Sequence, residues 1–495
     1  GQPDKQLAKQ YISYFYLQML APVLLSLLIF IANVSASPRI AVVGAGIGGS
    51  AASFYIQDLL KNASKSPAAI TAYESRSYIG GRLKHISFGK QEAKIEVGGA
   101  AWTSSNQYVT ELARRMKIPK KSTKSTTNAI NSPFLNTKLG IWKGNKFAHI
   151  IDEMALHTKS VVKVLNAEQV FLNSTAANYL ETEQAPPFTS ISEFVKYGNL
   201  DQFTNHTMLN YFTDLNVNKI VIEDGLVPLN RAIYNQNDNS SAFSVFGSLT
   251  AMLNQENVPS GNSNLVNDLF TAANANVLLN TKVQSITKNQ NSTLTVTTTA
   301  GKTDVYDVVL IAAPLEVTNI TFRNIPKMST GSPTIANRNF YPWFVTVVEA
   351  DSINHQQFLP VKITSPLPGI LLTNANGSTK NTPWVCIQPV GKHGKNGSDV
   401  KNVFMIYSDA SLKPILDTVL INPNTETMYE QYWPYTFAHL TPTSDSKMLQ
   451  PIVLTPGLYN LNSMESLASA MEVSSIGAHN GARLSMDYLN RKGLL

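Results

Sequence analysis

A glycine-rich turn between a short apolar run and a helical pattern is the feature that most constrains the fold of this chain. Residues Arg39–Val43 form the β-branched run typical of a buried parallel strand, and the turn Gly44–Gly49 follows at once. In such a turn Gly44 permits the tight bend, Gly46 leaves room for a pyrophosphate, and Gly49 lets the helix pack closely on the strand. The pattern predicts a Rossmann-type dinucleotide site with cofactor contacts from Gly44, Gly46, Gly48 and Gly49.

An acidic residue at the end of the next strand supports the same site. The run Ile70–Tyr73 is typical of a second strand, and Glu74 follows it, 25 positions after Gly49. A carboxylate at this strand end can accept hydrogen bonds from the ribose hydroxyls of an adenosine. A surface carboxylate is the alternative, but the neighbouring strand and glycine turn favour the ribose contact.

Two further glycine pairs distinguish between dinucleotides. Gly80–Arg82 and the segment Glu96–Gly99 resemble paired motifs of the amine-oxidase-like flavoprotein superfamily. The resemblance implies FAD rather than NAD, with Gly81 close to the cofactor and Arg82 offering its guanidinium to the phosphates. It also implies that the second pair, Gly98-Gly99, lies near the flavin, although a plain hairpin turn would carry the same residues.

Later segments are expected to complete the cofactor domain. Val277–Val283 is predicted as one strand, with Val283 presenting backbone groups to the adenine. Asp307–Pro314 is predicted as a buried strand that ends near the cofactor. Between them, Ser292–Thr299 alternates as a β-excursion does and ends near Gly301.

The predicted fold class is therefore α/β, a discontinuous FAD-binding Rossmann-type domain with an inserted α+β substrate domain. No internal repeat or low-complexity tract argues against this plan. The FAD-binding domain is assigned residues 38–110, 255–320 and 455–495, and the substrate domain residues 111–254 and 321–454.

The C-terminal segment narrows the family. Residues 466–480 cluster small side chains at a predicted helix start, and they resemble the C-terminus of prenylcysteine oxidases, also called prenylcysteine lyases. The glycine turn resembles the same family, and Ser260–Val266 resembles its Gly-Gly-Asn-x-x-Leu motif, with Ser260 in place of the first Gly. The resemblance implies a cofactor contact at Met471. It also places Trp102-Thr103 where the family carries a His.

This resemblance implies a reaction. Family members oxidise the thioether of S-farnesyl- or S-geranylgeranyl-cysteine left by degradation of prenylated proteins. A hydride passes from the prenyl C1 to flavin N5, and water adds to the resulting thiocarbenium ion. Cysteine and an isoprenoid aldehyde are released, while O2 reoxidises the flavin and yields hydrogen peroxide. The flavin carries the difficult chemistry, so the protein needs mainly to hold the substrate and dry the pocket.

Catalytic side chains are not assigned by this scheme, because hydride transfer needs no strong protein base. Glu472 and His479 are weak candidates, since positions seven apart share one helix face and could flank the flavin together. A hydrogen-bonded structural pair is the alternative. Aromatic residues could line a channel for the isoprenoid tail or form ordinary core, namely Phe194, Tyr197, Phe203, Tyr211 and Phe212.

Composition excludes several other classes. The chain has 495 residues and a net charge of +7, without an interleaved basic and aromatic platform for nucleic acid. The basic balance permits weak attraction to anionic membranes, so peripheral membrane or lipid association stays open. No His, Cys or Asp cluster has metal-ligand spacing. The single cysteine, Cys386, is expected to be a small buried hydrophobic residue.

The N-terminal region and scattered sequons predict the secretory pathway, with a lysosomal or extracellular destination. Lys5 and Lys9 precede the apolar stretch 19–32, and the small residues 34–36 follow, so residues 1–36 are interpreted as a cleaved signal peptide or an uncleaved anchor. Eight Asn-x-Ser/Thr triplets follow downstream. They begin at Asn62, Asn173, Asn205, Asn239, Asn291, Asn319, Asn376 and Asn396.

Two other functions remain open at this stage. An amine or polyamine oxidase of the same superfamily would share the cofactor motifs. A non-catalytic secreted flavoprotein that binds lipid would keep the fold without the oxidation.

Overall fold

The computed structural model describes residues 37–88, 93–118, 121–122, 139–144, 147–149, 154–179, 186–252, 255–257, 261–325, 338–354, 369–374, 383–393, 400–444 and 449–495. The predicted signal sequence 1–36, Ser260, and the sequons at Asn376 and Asn396 lie outside these residues.

The strands alternate with helices in the first part of the chain and dominate its second half. They are β1 (Arg39–Val43), β2 (Ala69–Tyr73), β3 (His85–Phe88), β4 (Ala93–Glu96), β5 (Trp102–Thr103), β6 (Lys121–Ser122), β7 (Leu139–Trp142), β8 (Phe147–His149), β9 (Gln255–Asn257), β10 (Asn276–Leu278), β11 (Val283–Lys288), β12 (Leu294–Thr298), β13 (Thr303–Tyr306), β14 (Val308–Ile311), β15 (Thr321–Arg323), β16 (Phe340–Ala350), β17 (Ser352–Ile353), β18 (Ile370–Thr373), β19 (Trp384–His393), β20 (Lys401–Ser408), β21 (Leu420–Ile421), β22 (Tyr429–Ala438), β23 (Val453–Thr455) and β24 (Leu458–Asn460).

The helices concentrate between residues 158 and 272 and at the two ends of the cofactor domain. They are α1 (Ile47–Asn62), α2 (Gln107–Arg115), α3 (Thr158–Tyr179), α4 (Ile191–Tyr197), α5 (Asp201–Thr204), α6 (Met208–Asp214), α7 (Lys219–Val221), α8 (Val227–Tyr234), α9 (Ala242–Met252), α10 (Ser263–Ala272), α11 (Leu315–Thr318), α12 (Leu416–Val419) and α13 (Met471–Arg491), with a π-helical turn at Ile222–Leu226 and 3₁₀ turns at Lys413–Ile415 and Leu461–Ser466.

A six-stranded sheet forms the cofactor domain, in the order β10-β2-β1-β14-β24-β23. Its first five strands are parallel, and β23 joins antiparallel to β24. The central strands consist of continuous apolar residues because both faces of the sheet are buried. All four residues of β14 are buried, as are four of the five residues of β1.

Two helices on one face of this sheet pack against each other, α1 near the start of the chain and α13 near its end. Small residues let α13 approach the 3₁₀ turn Leu461–Ser466: a Cβ atom on Gly481 would lie 2.2 Å from Leu461 Cδ2. The amide of Asn480, on the same helix, bonds both backbone groups of Phe188, at 2.8 and 3.0 Å. These contacts fasten the C-terminal helix to the helical part of the substrate region.

A four-stranded sheet, β13-β12-β11-β15, corrects one predicted strand. Val277–Val283 is not continuous: β10 ends at Leu278, and β11 begins in the second sheet at Val283. Between them Asn280 has φ of 52°, and the N–H of Thr281 donates to the carbonyl of Glu74 at 2.7 Å. This turn redirects the chain, which apolar periodicity alone does not reveal. The predicted excursion at Ser292–Thr299 is confirmed as β12.

A seven-stranded sheet, β22-β16-β20-β19-β18-β7-β8, and the helices α3 to α9 make up most of the remaining chain. Hydrophobic side chains of β16, β19, β20 and β22 pack against β4 of the first part of the chain. The indole N–H of Trp433 donates to the carbonyl of Val97 at 3.1 Å across this junction. Among the described residues, no helix is long and apolar enough to cross a membrane.

Candidate cofactor and substrate cavity

The glycine turn has the geometry that its spacing predicts. Gly44 has φ of +107°, and its N–H donates to the carbonyl of Tyr73 at 2.8 Å. A Cβ atom on Gly49 would lie 2.1 Å from the Gly44 carbonyl oxygen and 3.0 Å from Val42 Cγ1. Gly49 therefore lets α1 pack on β1, while Gly44, Gly46 and Gly48 line the cavity at the helix start.

The glycine pair Gly80-Gly81 lies directly against this turn. The N–H of Gly80 donates to the carbonyl of Ala45 at 2.8 Å. Gly81 has φ of +61°, and a Cβ atom on it would lie 3.3 Å from the Cα of Gly46. Two backbone segments thus form a cradle without side chains beside the first turn of α1. The N-cap residue Gly46 has no side chain to cap that turn, which leaves N–H groups of the first turn available to an anion.

Glu74 is buried at the end of β2 and lines the cavity. Its two carboxylate oxygens accept the N–H groups of Ala45 and Arg76, each at 2.9 Å. These bonds orient the carboxylate beside the cradle, and each oxygen retains acceptor capacity. The position matches that predicted for a ribose contact.

Arg82 lines the cavity, but it also has protein partners that the sequence did not predict. Its guanidinium Nη1 forms an ion pair with Glu465 and donates to the carbonyl of Thr436 at 2.7 Å. Burial would raise the pKa of Glu465, but Arg82, with Arg338 beyond it, lowers that pKa to about 2. Arg82 thus fixes three distant segments, and its phosphate contact stays a prediction.

The glycine pair Gly98-Gly99 also lines the cavity and lies against the loop that carries Arg82. A Cβ atom on Gly98 would lie 2.0 Å from the Arg82 carbonyl oxygen, and one on Gly99 2.5 Å from Leu83 Cδ2. The side chain of Asn262 donates to the Gly99 carbonyl at 2.8 Å. The hairpin alternative is therefore wrong. The pair follows β4 and lies in close contact with Arg82 and Leu83, which precede β3.

The family-like motif at Ser260–Val266 gains a structural explanation from its described residues. Gly261 has φ of +111°, and a Cβ atom on it would lie 2.1 Å from His85 Nδ1. Asn262 is fully buried, and its N–H donates to Glu96 at 2.5 Å. Gly261 and Asn262 thus hold the strand that carries Glu96, a role that sequence spacing did not indicate.

A single cavity of about 1200 Å³ contains both the glycine cradle and the wall of the substrate region. Val283 and Met471 line it, at the start of β11 and at the start of α13. The cavity then extends between two apolar walls. One comes from α3, α4 and α9 and includes Phe171, Phe194, Tyr197 and Phe243; the other comes from the seven-stranded sheet and includes Trp343, Met405, Tyr407, Trp433 and Phe437.

The predicted aromatic stretch divides between cavity and core. Phe194 and Tyr197 line the cavity, as the channel interpretation requires. Phe203 and Phe212 are fully buried, and Tyr211 packs on Phe203 with ring centroids 5.9 Å apart. For these three residues the channel interpretation is wrong, and the core alternative is confirmed.

The pair Glu472 and His479 shares one face of α13, but that face is directed at α2. Glu472 accepts the N–H groups of Tyr108 and Val109, each at 3.0 Å, at the start of α2. His479 packs against Tyr55 and Tyr108, with ring centroids 4.9 and 5.4 Å away, and is not among the cavity-lining residues. The structure therefore contradicts the expectation that both flank the flavin.

The ionisation of these two groups follows from their burial. Burial raises the pKa of Glu472 to about 7, against the effect of its backbone N–H partners. Burial lowers the pKa of His479 to about 4, so the ring is neutral at physiological pH. Glu472 does line the cavity, but its carboxylate holds the start of α2.

Three remaining expectations concern single residues and metals. Trp102 and Thr103 are buried and line the cavity, and the N–H of Thr103 donates to Asn106 Oδ1 at 2.8 Å. Cys386 is buried, as predicted, and burial raises the pKa of its thiol. No group of His, Cys, Asp and Glu among the described residues could hold a metal ion.

The parallel sheet, the glycine cradle and the adjoining cavity define an oxidoreductase of the Rossmann class. A model of the NAD(P)-binding Rossmann-like domain matches residues 42–116, and the prenylcysteine lyase family model matches residues 162–493. The second match spans more than half of the chain. The chain therefore belongs to the prenylcysteine lyase family.

Similar proteins support this membership over nearly the whole chain. Farnesylcysteine lyase of Arabidopsis thaliana is 23% identical over 478 residues, covering 90% of this chain and 87% of that protein. Human prenylcysteine oxidase 1 is 24% identical, covering 91% and 89%. Among solved structures, cyclohexylamine oxidase of Brevibacterium oxydans has a TM-score of 0.56 at 12% identity, covering 92% of this chain and 100% of that one. This last likeness shows the shared fold.

The cofactor of this cavity is FAD, and the residues present fit it. Backbone without side chains at Gly46 and Gly81 can approach the pyrophosphate, and the uncapped start of α1 faces the same place. Glu74 lies where the ribose hydroxyls would be bound. Val283, Gly98 and Met471 also line this cavity.

The first prediction concerns the packing of α1 on β1. Replacing Gly49→Ala should lower both thermal stability and FAD content, because the added methyl group would overlap the Gly44 carbonyl; overpacking of this kind costs about 1–3 kcal/mol. Gly48→Ala is the matched control for folding, since its Cβ would lie 3.7 Å from the nearest atom, Ala312 Cβ. Thermal unfolding and the ratio of flavin to protein absorbance measure both effects. Equal unfolding temperatures for the two variants would contradict the assignment.

Proposed function

We propose that this protein is an FAD-dependent thioether oxidase that cleaves S-prenyl-L-cysteine. The products are cysteine, an isoprenoid aldehyde and hydrogen peroxide, formed with O2 and water. The observation that carries the proposal is the single cavity, in which the dinucleotide cradle opens directly into aromatic and aliphatic walls. Membership of the prenylcysteine lyase family supports the same substrate class.

The walls suit an isoprenoid chain. Burying a methylene group contributes about 0.8 kcal/mol, so a farnesyl or geranylgeranyl tail gains most of its affinity from apolar contacts. Phe171 and Phe243 lie on one wall with ring centroids 5.2 Å apart, and Phe194 and Tyr197 extend it. When bound, FAD supplies the hydride acceptor. The side chains around it bind the tail, exclude water and orient the thioether.

The second prediction tests this function directly. Anaerobic addition of S-farnesylcysteine should bleach the flavin absorbance near 450 nm, and admission of air should restore it and release peroxide. S-Dodecylcysteine is the matched control ligand. Its alkyl chain can occupy the apolar part of the cavity, but it has no allylic hydrogen at C1, so it should bind without bleaching the flavin absorbance.

Other outcomes separate the alternatives. Bleaching by spermine or a monoamine, with no response to farnesylcysteine, would identify an amine oxidase. Bound FAD that no thioether or amine reduces, together with saturable prenyl-lipid binding, would identify a non-catalytic carrier. Either result would overturn the proposed oxidase.

We also propose that the protein passes through the secretory pathway to a lysosomal or extracellular destination, where it is glycosylated. Of the described sequons, those at Asn62, Asn173, Asn239, Asn291 and Asn319 are exposed. Asn291 also bonds its own sequon hydroxyl, on Thr293, at 2.7 Å. Asn205 is half-buried and accepts the hydroxyl of Thr443 at 2.8 Å.

The third prediction follows from these exposures. In protein secreted by eukaryotic cells, Asn291→Gln should remove one glycan, seen as a mass decrease that disappears after enzymatic deglycosylation. Asn205→Gln is the half-buried counterpart and should leave the glycan mass unchanged. A protein without glycans, retained in the cytosol, would contradict the secretory route.

A peripheral association with membranes is the remaining part of the proposal. The outer face of α3 exposes Val162, Leu165 and Val170 beside the cations Lys159 and Lys163. The same helix supplies Phe171, from its buried side, to the cavity wall. Apolar contact and attraction to anionic lipid would act together there.

The fourth prediction tests this face. With vesicles of phosphatidylcholine containing phosphatidylserine, the double variant Val162→Asp and Leu165→Asp should sediment less than the wild type. The double variant Val305→Asp and Ile421→Asp changes two other exposed apolar residues, 41% and 40% exposed against 47% and 51%, and should behave as the wild type. If the two variants sediment alike, α3 does not mediate the association.

A further inference from the structure

Glu96 is a carboxyl group of the cavity whose function the proposed reaction does not require. It ends β4 and precedes the pair Gly98-Gly99. Its neighbours Ile95 and Val97 are buried against the seven-stranded sheet. Glu96, between them in sequence, lines the cavity.

The carboxyl group of Glu96 is incompletely satisfied. Oε1 accepts the N–H of Asn262 at 2.5 Å, while Oε2 is buried and has no hydrogen-bond partner among the described residues. Among the residues that the structure describes, no Lys, Arg or His forms an ion pair with Glu96. Burial raises its pKa to about 7. A buried acceptor without a partner is costly, so this oxygen suits a donor supplied by a ligand.

The surroundings of Glu96 indicate what kind of donor fits. Glu96 and Tyr407 line the same cavity. Trp343 packs on Tyr407 with ring centroids 4.7 Å apart, and both rings line the cavity with Trp433. A carboxylate beside aromatic rings is suited to an ammonium group.

We propose that Glu96 binds the α-ammonium group of the cysteinyl half of the substrate, through the carboxylate oxygen Oε2. The inference rests on the proposed function for the identity of the ligand. It assigns the cysteinyl end of the substrate to the region between β4 and the seven-stranded sheet. The pair Gly261-Asn262 then acts as a positioning element, because Asn262 holds both Glu96 and Gly99.

The fifth prediction compares two ligands that differ in one charge. Replacing Glu96→Gln keeps an acceptor for the Asn262 N–H but removes the negative charge. It should weaken the binding of S-farnesylcysteine by about tenfold to one hundredfold, the range for a hydrogen bond between charged groups. Binding of N-acetyl-S-farnesylcysteine, which has no ammonium group, should change less than threefold. Anaerobic titration of the holoenzyme with its flavin already reduced, followed by tryptophan fluorescence, measures the binding of both ligands without turnover, and kcat/KM from peroxide release should follow the same pattern.

The matched control is Glu168→Gln. Glu168 is also buried, and burial also raises its pKa, but it accepts the hydroxyl of Thr250 and does not line the cavity. This variant should bind both ligands as the wild type does. Flavin content and thermal unfolding establish that the Glu96 variant is folded, and the ratio of the two affinities within that variant is insensitive to a general loss of binding.

The outcomes separate this inference from the proposed function. If the wild type binds farnesylcysteine without flavin reduction and Glu96→Gln abolishes the preference for the free amine, the ammonium site stands and the oxidase proposal fails. If the wild type reduces its flavin and Glu96→Gln keeps the full preference, the ammonium site is refuted and the oxidase stands. If the wild type neither binds nor oxidises farnesylcysteine, both are refuted.

Discussion

The ion pair between the half-buried Arg82 and the buried Glu465 is the interaction on which the cavity depends. Arg82 follows the glycine pair Gly80-Gly81, Glu465 lies in the 3₁₀ turn near the C-terminus, and the carbonyl of Thr436 on β22 accepts the same guanidinium nitrogen. Removing Arg82 would leave the buried carboxylate of Glu465 with less compensation for its charge. The pair therefore holds the cofactor loop, the C-terminal segment and the substrate sheet in one arrangement.

The network continues beyond this pair and reaches the end of the central sheet. Asn462 donates to Glu465 at 2.8 Å and accepts from Arg338 at 2.7 Å. Arg338 in turn pairs with Glu316 at 2.7 Å, just after β14. Because each buried charge has a neighbour of opposite sign, the network is consistent with the low pKa of Glu465, about 2. A cavity formed between discontinuous segments needs such cross-links, since no single stretch of chain encloses it.

Sequence reasoning was most successful where local geometry alone decides the outcome. At Gly44 and Gly49 the reason for glycine is a bend or a backbone contact within a few residues, so spacing predicts the structure. The apolar runs of β1 and β14 are equally local, because a strand that is buried on both faces of a sheet needs apolar side chains throughout. Glu74 follows from the same logic, as its position is fixed by the strand that precedes it.

Sequence reasoning failed where the partner is distant in the chain. Nothing near Arg82 indicates Glu465, which is 383 residues away, and nothing near Asn262 indicates Gly99. Helical spacing correctly put Glu472 and His479 on one face, but spacing cannot say which element that face meets. The aromatic stretch failed for the same reason, since burial of Phe203 and exposure of Phe194 to the cavity are decided by tertiary packing.

Two of the carboxyl groups that line the cavity, Glu96 and Glu472, show how packing decides between structure and function. Burial raises the pKa of both Glu96 and Glu472 to about 7, so ionisation alone does not distinguish them. Both oxygens of Glu472 accept backbone N–H groups at the start of α2, which satisfies that carboxylate within the protein. Glu96 keeps one buried oxygen without a partner among the described residues and shares the cavity with aromatic rings. A buried carboxylate whose two oxygens both accept hydrogen bonds from the protein has a structural role. A carboxylate in a ligand cavity with one buried oxygen that lacks such a bond is suited to bind a ligand.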